Sequence, residues 1–460
     1  MSSREVIVSG SGNSIQELFT RAASLLLGNG VDAVGDHDAI RVLQALEYSP
    51  ESGIGGDPET ANHAHLLIAA SRFTRVFELT SPDAPGLFSF GAQFDPALAD
   101  LLHGGSPIVG VSGVGLTMQE AFQGCIGEGI EYLSQLQTTT DLLLAPGDDE
   151  WRRTLGANAQ ELVAILSQRC MQPERALSWC RATRVTDGGE VWLPADICLR
   201  RPPAQRDFVP PYPLSIGSAA GPSRDAAALH GLLELIERDA TSLWWQGGQF
   251  ARAIPPQHEA GNVAKNLLRQ LRQDVSEPRR TWLLDVTTDI GVPCVVAASC
   301  RANGSGFAFG LAARPALEAA VRSAIVEMCQ LELADAVVAA KRSERGDDAL
   351  NVQDRIHLQR AAIDVDRCAL LQPVAEYAVH LPFPATEARA LFGLIVERLQ
   401  ELRIETFCID LMRERFAVPV VRVIAPGLQL EPSEIVTARL RDMIARTGGG
   451  ATYTGGVALM

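Results

Sequence analysis

The chain has 460 residues, a net charge of −15, 47% hydrophobic and 21% charged residues. That length exceeds what one hydrophobic core usually supports, so two or three lobes are expected. The acidic balance argues against a protein that grips a nucleic-acid backbone, no apolar run reaches membrane-spanning length, and the opening MSSREVIVSG lacks a signal-peptide pattern, so a cytoplasmic globular protein is expected.

Residues 3–30, EVIVSGSGNSIQELFTRAASLLLGNG, read as strand, turn and helix. The GSG lacks both the third glycine of a dinucleotide fingerprint and the Gly-Lys-Ser/Thr of a phosphate loop, so it reads as a turn with Asn13 or Ser14 capping a helix. Residues 48–62 read as a loop. In NHAHLL, His63 and His65 would point the same way on a strand, but no third ligand is spaced nearby for a metal. Proline-rich 200–213 reads as an extended connection. Trp244 and Trp245 read as core or interface residues. TWLLDV, GVPCVVAASC and PVVRVIAPGL read as strands alternating with alanine-rich helices, and 343–353 as a polar break. LLDVTTDIGVPCVV (283–296) and CIDLMRERFAVPVV (408–421) look like two related hairpins. Nine scattered cysteines, with no CxxC pair, read as reduced core thiols.

One pattern recurs. Alanine, then glutamate seven residues on, then Glu or Gln three further, occurs at Ala121–Glu128–Glu131, Ala227–Glu234–Glu237 and Ala320–Glu327–Gln330. Each copy follows a glycine-containing turn, which suggests repeated strand-plus-helix units. Residues three apart share a helix face, so Glu128/Glu131 and Glu234/Glu237 each present two carboxylates in one direction. Their flanks are apolar, and carboxylates there need compensation from solvent, from arginine or from a divalent cation. If the three helices converge, magnesium bridging carboxylates and a polyphosphate would make the cluster sensible, with Arg238 on phosphate oxygens.

SIGSAAGPSRDAAALHGLLELIERDA (215–240) resembles the signature of the YcaO family. VSGVGLTMQEAFQGCIGEGIEYLS (111–134), GLAARPALEAAVRSAIVEMCQ and PVVRVIAPGL resemble its other blocks, in order, over about residues 60–460. The resemblance implies an α+β, YcaO-type fold with repeated strand-plus-helix units around a central acidic helix cluster. It implies a YcaO-like domain over 61–460; the α/β extension before it (1–60) is read, from its position alone, as a unit that docks a peptide or partner. It further implies an enzyme that uses ATP and Mg2+ to phosphorylate a backbone carbonyl oxygen of a ribosomally made precursor peptide, giving an azoline, amidine or thioamide. A ThiF-like or leader-binding partner, a dehydrogenase, or a second copy in a homodimer would accompany it; no nucleic acid or membrane is involved. Carried over by position, Glu128, Glu131, Glu234, Glu237, Arg238 and Glu327 would bind nucleotide, with Glu128, Glu131, Glu234 and Glu237 holding the metal. No catalytic residue is assigned.

The chain departs from that pattern within the same region. Ile216 replaces Asn, Pro222 replaces Asn, and Ala226 replaces a magnesium-binding Glu, with Asp225 one position early. Ser323 replaces Arg, with Arg322 one position early; Val114 and Tyr132 replace Lys and Arg. One residue on a helix is about 100° of rotation, so Asp225 and Arg322 would point elsewhere. His230 is read as a packed or supporting histidine. The glycine-rich end GGGATYTGGVALM reads as flexible, unlike the proline-rich tail of azoline-forming relatives. These departures raise an alternative: a scaffold or regulatory subunit of this fold that binds peptide or an active partner without turnover.

Overall fold

The computed structural model describes residues 12–28, 36–49, 57–144, 154–172, 176–273, 275–276, 279–374 and 383–459. The strand expected over 3–10 lies outside them. The chain divides into two compact units: Met1–Leu79, Phe88–Leu232 and Arg403–Pro426 form the first, and Thr80–Leu87, Leu233–Leu402 and Gly427–Met460 the second.

The first unit opens with helices α1 (Gly12–Leu26), α2 (His37–Ala45) and α3 (Pro58–Arg72). Phe19, Ala22, Ala23 and Leu26 repeat at helical spacing on α1 and are buried. The helix begins at Gly12, so Asn13 and Ser14 fall inside its first turn. Asp57 caps α3 through the Glu59 and Thr60 N–H groups, and Pro58 fits its first turn. This cap makes NHAHLL helical rather than extended. His63 and His65 therefore point to different sides, which removes them as a paired metal site, and His63 stacks on Tyr48 at 4.2 Å.

Two antiparallel sheets complete this unit. One runs β1 (Arg75–Leu79), β2 (Phe88–Phe94), β3 (Val109–Gly115), and α4 (Met118–Gln135) packs on it. Gly113 permits that packing: a Cβ there would lie 2.1 Å from the Cys125 nitrogen. The other sheet has the order β5 (Glu190–Pro194), β4 (Trp179–Arg184), β11 (Phe407–Asp410), β12 (Val420–Ile424), β6 (Ser218–Ala220). Helix α5 (Ala157–Gln168) packs near β5. Residues 200–213 form the expected connection, broken by one 3-10 turn at Pro203–Gln205. Within it Arg201 is buried between Asp196 (3.2 Å) and Asp207 (2.9 Å).

Helix α6 (Arg224–Trp245) carries the signature, and the division between units falls inside it, after Leu232. The second unit has a sheet of order β10 (Ala308–Ala313), β9 (Cys294–Cys300), β8 (Arg280–Asp285), β7 (Arg252–Ala253). Helices α7 (Glu259–Leu271) and α8 (Leu317–Arg345) pack together, and α8 lies on β10. Gly310 plays the part of Gly113 here, since a Cβ would sit 2.1 Å from the Ala324 carbonyl oxygen. Both predicted hairpins form, β8–β9 and β11–β12. The polar break shortens to a turn at Gly346, with φ 77°, before α9 (Val352–Ala361). Helices α10 (Ala388–Glu401) and α11 (Ala438–Thr447) follow.

The glycine-rich end is fastened rather than flexible as far as Leu459. Gly450 N–H donates to the Gln246 carbonyl at 2.7 Å, Trp245 Nε1 to the Val457 carbonyl at 2.8 Å, and Arg360 Nη1 to the Leu459 carbonyl at 2.7 Å. Fixed donors and acceptors on α6 and α9 hold a chain that its composition alone would leave loose. Trp244 and Trp245 are core residues, as expected, and all nine cysteines are free, eight of them buried. Among the described residues no helix is long and apolar enough to cross a membrane.

Candidate functional site

The three copies of the glutamate pattern fall on α4, α6 and α8, and each helix follows a strand at the end of its sheet: β3, β6 and β10. An edge strand carries outward N–H groups with no ladder partner. The glutamates take them. Glu128 accepts from Ser112 N–H on β3 at 3.0 Å, and Glu327 from Leu311 N–H on β10 at 3.1 Å; each donor stands sixteen residues upstream. The second glutamate of a copy reaches the strand of the next copy. Glu131 accepts from Ala220 on β6 at 2.7 Å, and Glu237 from Ala313 on β10 at 3.3 Å. Ala220 and Ala313 each stand fourteen residues before the first glutamate of their own copy. The sequence repeat is therefore also a repeat of hydrogen bonding. Backbone N–H groups are a compensation that the helical spacing alone did not disclose.

In the second unit this produces a concentrated charge cluster. Arg238 Nη2 lies 3.4 Å from Glu234 Oε1, one turn away on α6. Burial, reinforced by the neighbouring Glu327, pushes Glu237 up to about 8, with Arg238 and Arg314 opposing. Burial raises Glu327 also, against the pull of Arg238 and the Leu311 N–H. Burial by itself would lower Arg238, but Glu234, Glu237 and Glu327 together outweigh it and hold the guanidinium above its ordinary value. Glu431 joins from the segment after β12: it is 2% exposed, accepts from the Gln246 amide, and burial pushes it up to about 7 against the pull of Arg238. Neither Glu431 nor Arg314 shares the repeat spacing, so only the fold brings them here.

Glu234, Glu237 and Glu327 thus share the electrostatic neighbourhood of Arg238. Glu128 and Glu131 belong to the first unit, and the single cluster of three acidic helices is not confirmed. His230 is exposed on α6. Ile216 is buried, Pro222 is exposed, and Asp225, Ala226, Arg322 and Ser323 are half-buried. The Arg200 guanidinium lies 4.5 Å over the Tyr132 ring.

Could these residues hold magnesium? Among the described residues no group of three or more His, Cys, Asp or Glu is arranged as a metal cage. Magnesium rarely uses one; it usually takes one or two carboxylates, with waters and substrate phosphates filling its octahedron. The carboxylate excess around Arg238 fits that mode, and a cation would relieve it.

The model of a family described as YcaO cyclodehydratase, ATP- and Mg2+-binding, matches residues 112–429. The chain belongs to the YcaO family. A relative, an uncharacterized protein in the tfuA 3′ region of Rhizobium leguminosarum bv. trifolii, is 28% identical over 292 residues, 58% of this chain and 64% of that one. The YcaO fold is also that of a heterocyclase solved in complex with substrate and cofactor: TM-score 0.65, 21% identity, 86% of this chain and 55% of that one. YcaO from Methanopyrus kandleri bound with AMPPCP and Mg2+ matches at TM-score 0.55 and 20% identity, over 77% of this chain and 86% of that one. The chain thus spans under two thirds of the relative and about half of the heterocyclase.

The raised Glu237 carries a stability consequence. Its carboxyl holds a proton in the folded state up to about 8, against an ordinary value of 4.5, so the folded chain binds more protons than the unfolded one between them. Its contribution is therefore lost as pH climbs through that window. Glu237→Gln keeps an acceptor for Ala313 and removes the titration. The variant is expected to show a higher urea midpoint than wild type at pH 8 and a similar one near pH 5; equal midpoints at both would show that Glu237 ionises freely.

Proposed function

We propose that this YcaO protein uses magnesium and ATP to activate a backbone amide of a ribosomally made precursor peptide, in azoline-type cyclodehydration or a related amide modification. The observation that carries the proposal is the gathering of carboxylates at Arg238, with Glu234 3.4 Å from its guanidinium and Glu237 anchored on Ala313 N–H; burial, reinforced by Glu327, raises Glu237 against the pull of Arg238 and Arg314. Glu234 and Glu237 in the second unit, and Glu128 and Glu131 in the first, would each serve as metal ligands. Arg238 would contact phosphate, and Glu327 would contact nucleotide. The nucleotide supplies the phosphoryl group that turns a carbonyl oxygen into a leaving group. The chain's own residues bind and orient it: Glu327 and Glu237 fix the end of β10 through Leu311 and Ala313, and Glu234 holds the Arg238 guanidinium in register.

By the same reading, residues 1–60 dock the precursor peptide or a partner, 61–460 form the YcaO-like domain, and the work is done in the cytoplasm. A ThiF-like or leader-binding protein, a dehydrogenase or a second copy would act with it. A scaffold without turnover is the second reading. It is favoured by Pro222, Ala226 and Ser323, and by carboxylates already engaged with backbone N–H groups.

Calorimetry separates them. Titrating magnesium with a non-hydrolysable ATP analogue into the full chain is expected to give saturable binding, tighter at pH 8 than at pH 6 because the metal displaces the Glu237 proton. No heat at millimolar ligand would leave only the scaffold.

A further inference from the structure

We infer that Arg314 contacts the polyphosphate of the ligand bound in the second unit, an assignment that rests on the nucleotide reading above. Arg314 is the first residue after β10, and its position is tightly fixed. Its own N–H donates to the Pro293 carbonyl at 3.0 Å, and the N–H of its neighbour Ala313 is held by Glu237. The side chain is half-buried. Its Nη1 donates to the Ala313 carbonyl at 2.8 Å, and among the described residues it makes no ion pair.

The contrast with Arg238 carries the argument. These two guanidiniums are the cations whose field both Glu237 and Glu327 feel. Arg238 already has a carboxylate on its fork. Arg314 stands beside the same carboxylates with donors uncommitted to any of them and with access to solvent. A guanidinium presents five N–H groups in a planar fork that matches phosphate oxygens two at a time. Alone, the carboxylates would repel a polyphosphate; with magnesium on them, its oxygens come beside Arg314.

The test is calorimetry on the full chain with three ligands: AMPPCP with magnesium, inorganic tripolyphosphate with magnesium, and adenosine. Arg314→Ala is expected to weaken both phosphate ligands by about tenfold or more. Adenosine should stay within about twofold of wild type. Arg314→Lys should recover part of the loss, since it restores the charge but not the fork. Arg322→Ala, on α8 and likewise half-buried, should bind like wild type. The assignment is overturned if Arg314→Ala binds both phosphate ligands as wild type does. Equal weakening of adenosine, or transfer of the loss to Arg322→Ala, overturns it as well. Wild type that takes tripolyphosphate but not AMPPCP defeats the nucleotide reading while Arg314 is still judged on tripolyphosphate; wild type that takes neither defeats both.

Discussion

Glu332→Ala is expected to lower the unfolding free energy of the second unit by about 3–5 kcal/mol. One oxygen of this 2%-exposed carboxylate takes Arg272 at 2.8 Å, Arg279 at 2.9 Å and the Ser299 hydroxyl at 2.5 Å. The two guanidiniums are nearly as buried, at 7% and 6% side-chain exposure. Arg279 would retain Asp83 at 3.4 Å, but Arg272 would lose its carboxylate. Breaking such a group from one side leaves charge in a place water reaches poorly, and that penalty dominates the lost attraction. The measurement is the urea midpoint followed by tryptophan fluorescence, with Trp244, Trp245 and Trp282 all in that unit. An unchanged midpoint would mean that the arginines find solvent when Glu332 goes. The prediction bears on the site because Glu332 lies on α8 five residues beyond Glu327, and its three partners, at the end of α7, just before β8 and on β9, fasten that helix.

The double substitution Glu234→Gln with Glu237→Gln is expected to weaken magnesium-nucleotide binding by about a hundredfold or more. Loss of a residue that merely supports a metal ligand commonly costs 10–100-fold, and direct ligands should cost at least that. Glutamine preserves the acceptor for Ala313 and much of the volume, so the fold should persist. Removing the buried titration of Glu237 should raise stability at pH 8. Loss of binding with a retained or higher unfolding midpoint is therefore the expected pair of results, read by calorimetry and urea denaturation on the same preparation. Binding that survives the double substitution would place magnesium nucleotide somewhere else.

Much of this was legible in the sequence because it depends on local spacing. Glu234 and Glu237 share a face of α6 by helical geometry alone, and the repeat at Glu128/Glu131 and Glu327 could be counted directly. The strand-to-helix order and the two hairpins followed from apolar patterning. Reading failed where a local helix cap was overlooked or a neighbour remote in sequence outweighs local preference. His63 and His65 looked extended until the Asp57 cap set them on a helix. The glycine-rich tail looked loose until Trp245 and Arg360 took its carbonyls.

By itself the sequence determined the family, the helices that carry the carboxylates, and the offset between them, because these are properties of order along the chain. Only the tertiary structure decided what those carboxylates touch. Edge-strand N–H groups at Ser112, Ala220, Leu311 and Ala313 engage Glu128, Glu131, Glu327 and Glu237, two of them across gaps of 89 and 76 residues. Glu431 and Arg314 enter the charge cluster from segments with no repeat to announce them. The reason is physical: an electrostatic environment is set by distance and burial in space, and neither is written in the spacing of residues along a helix.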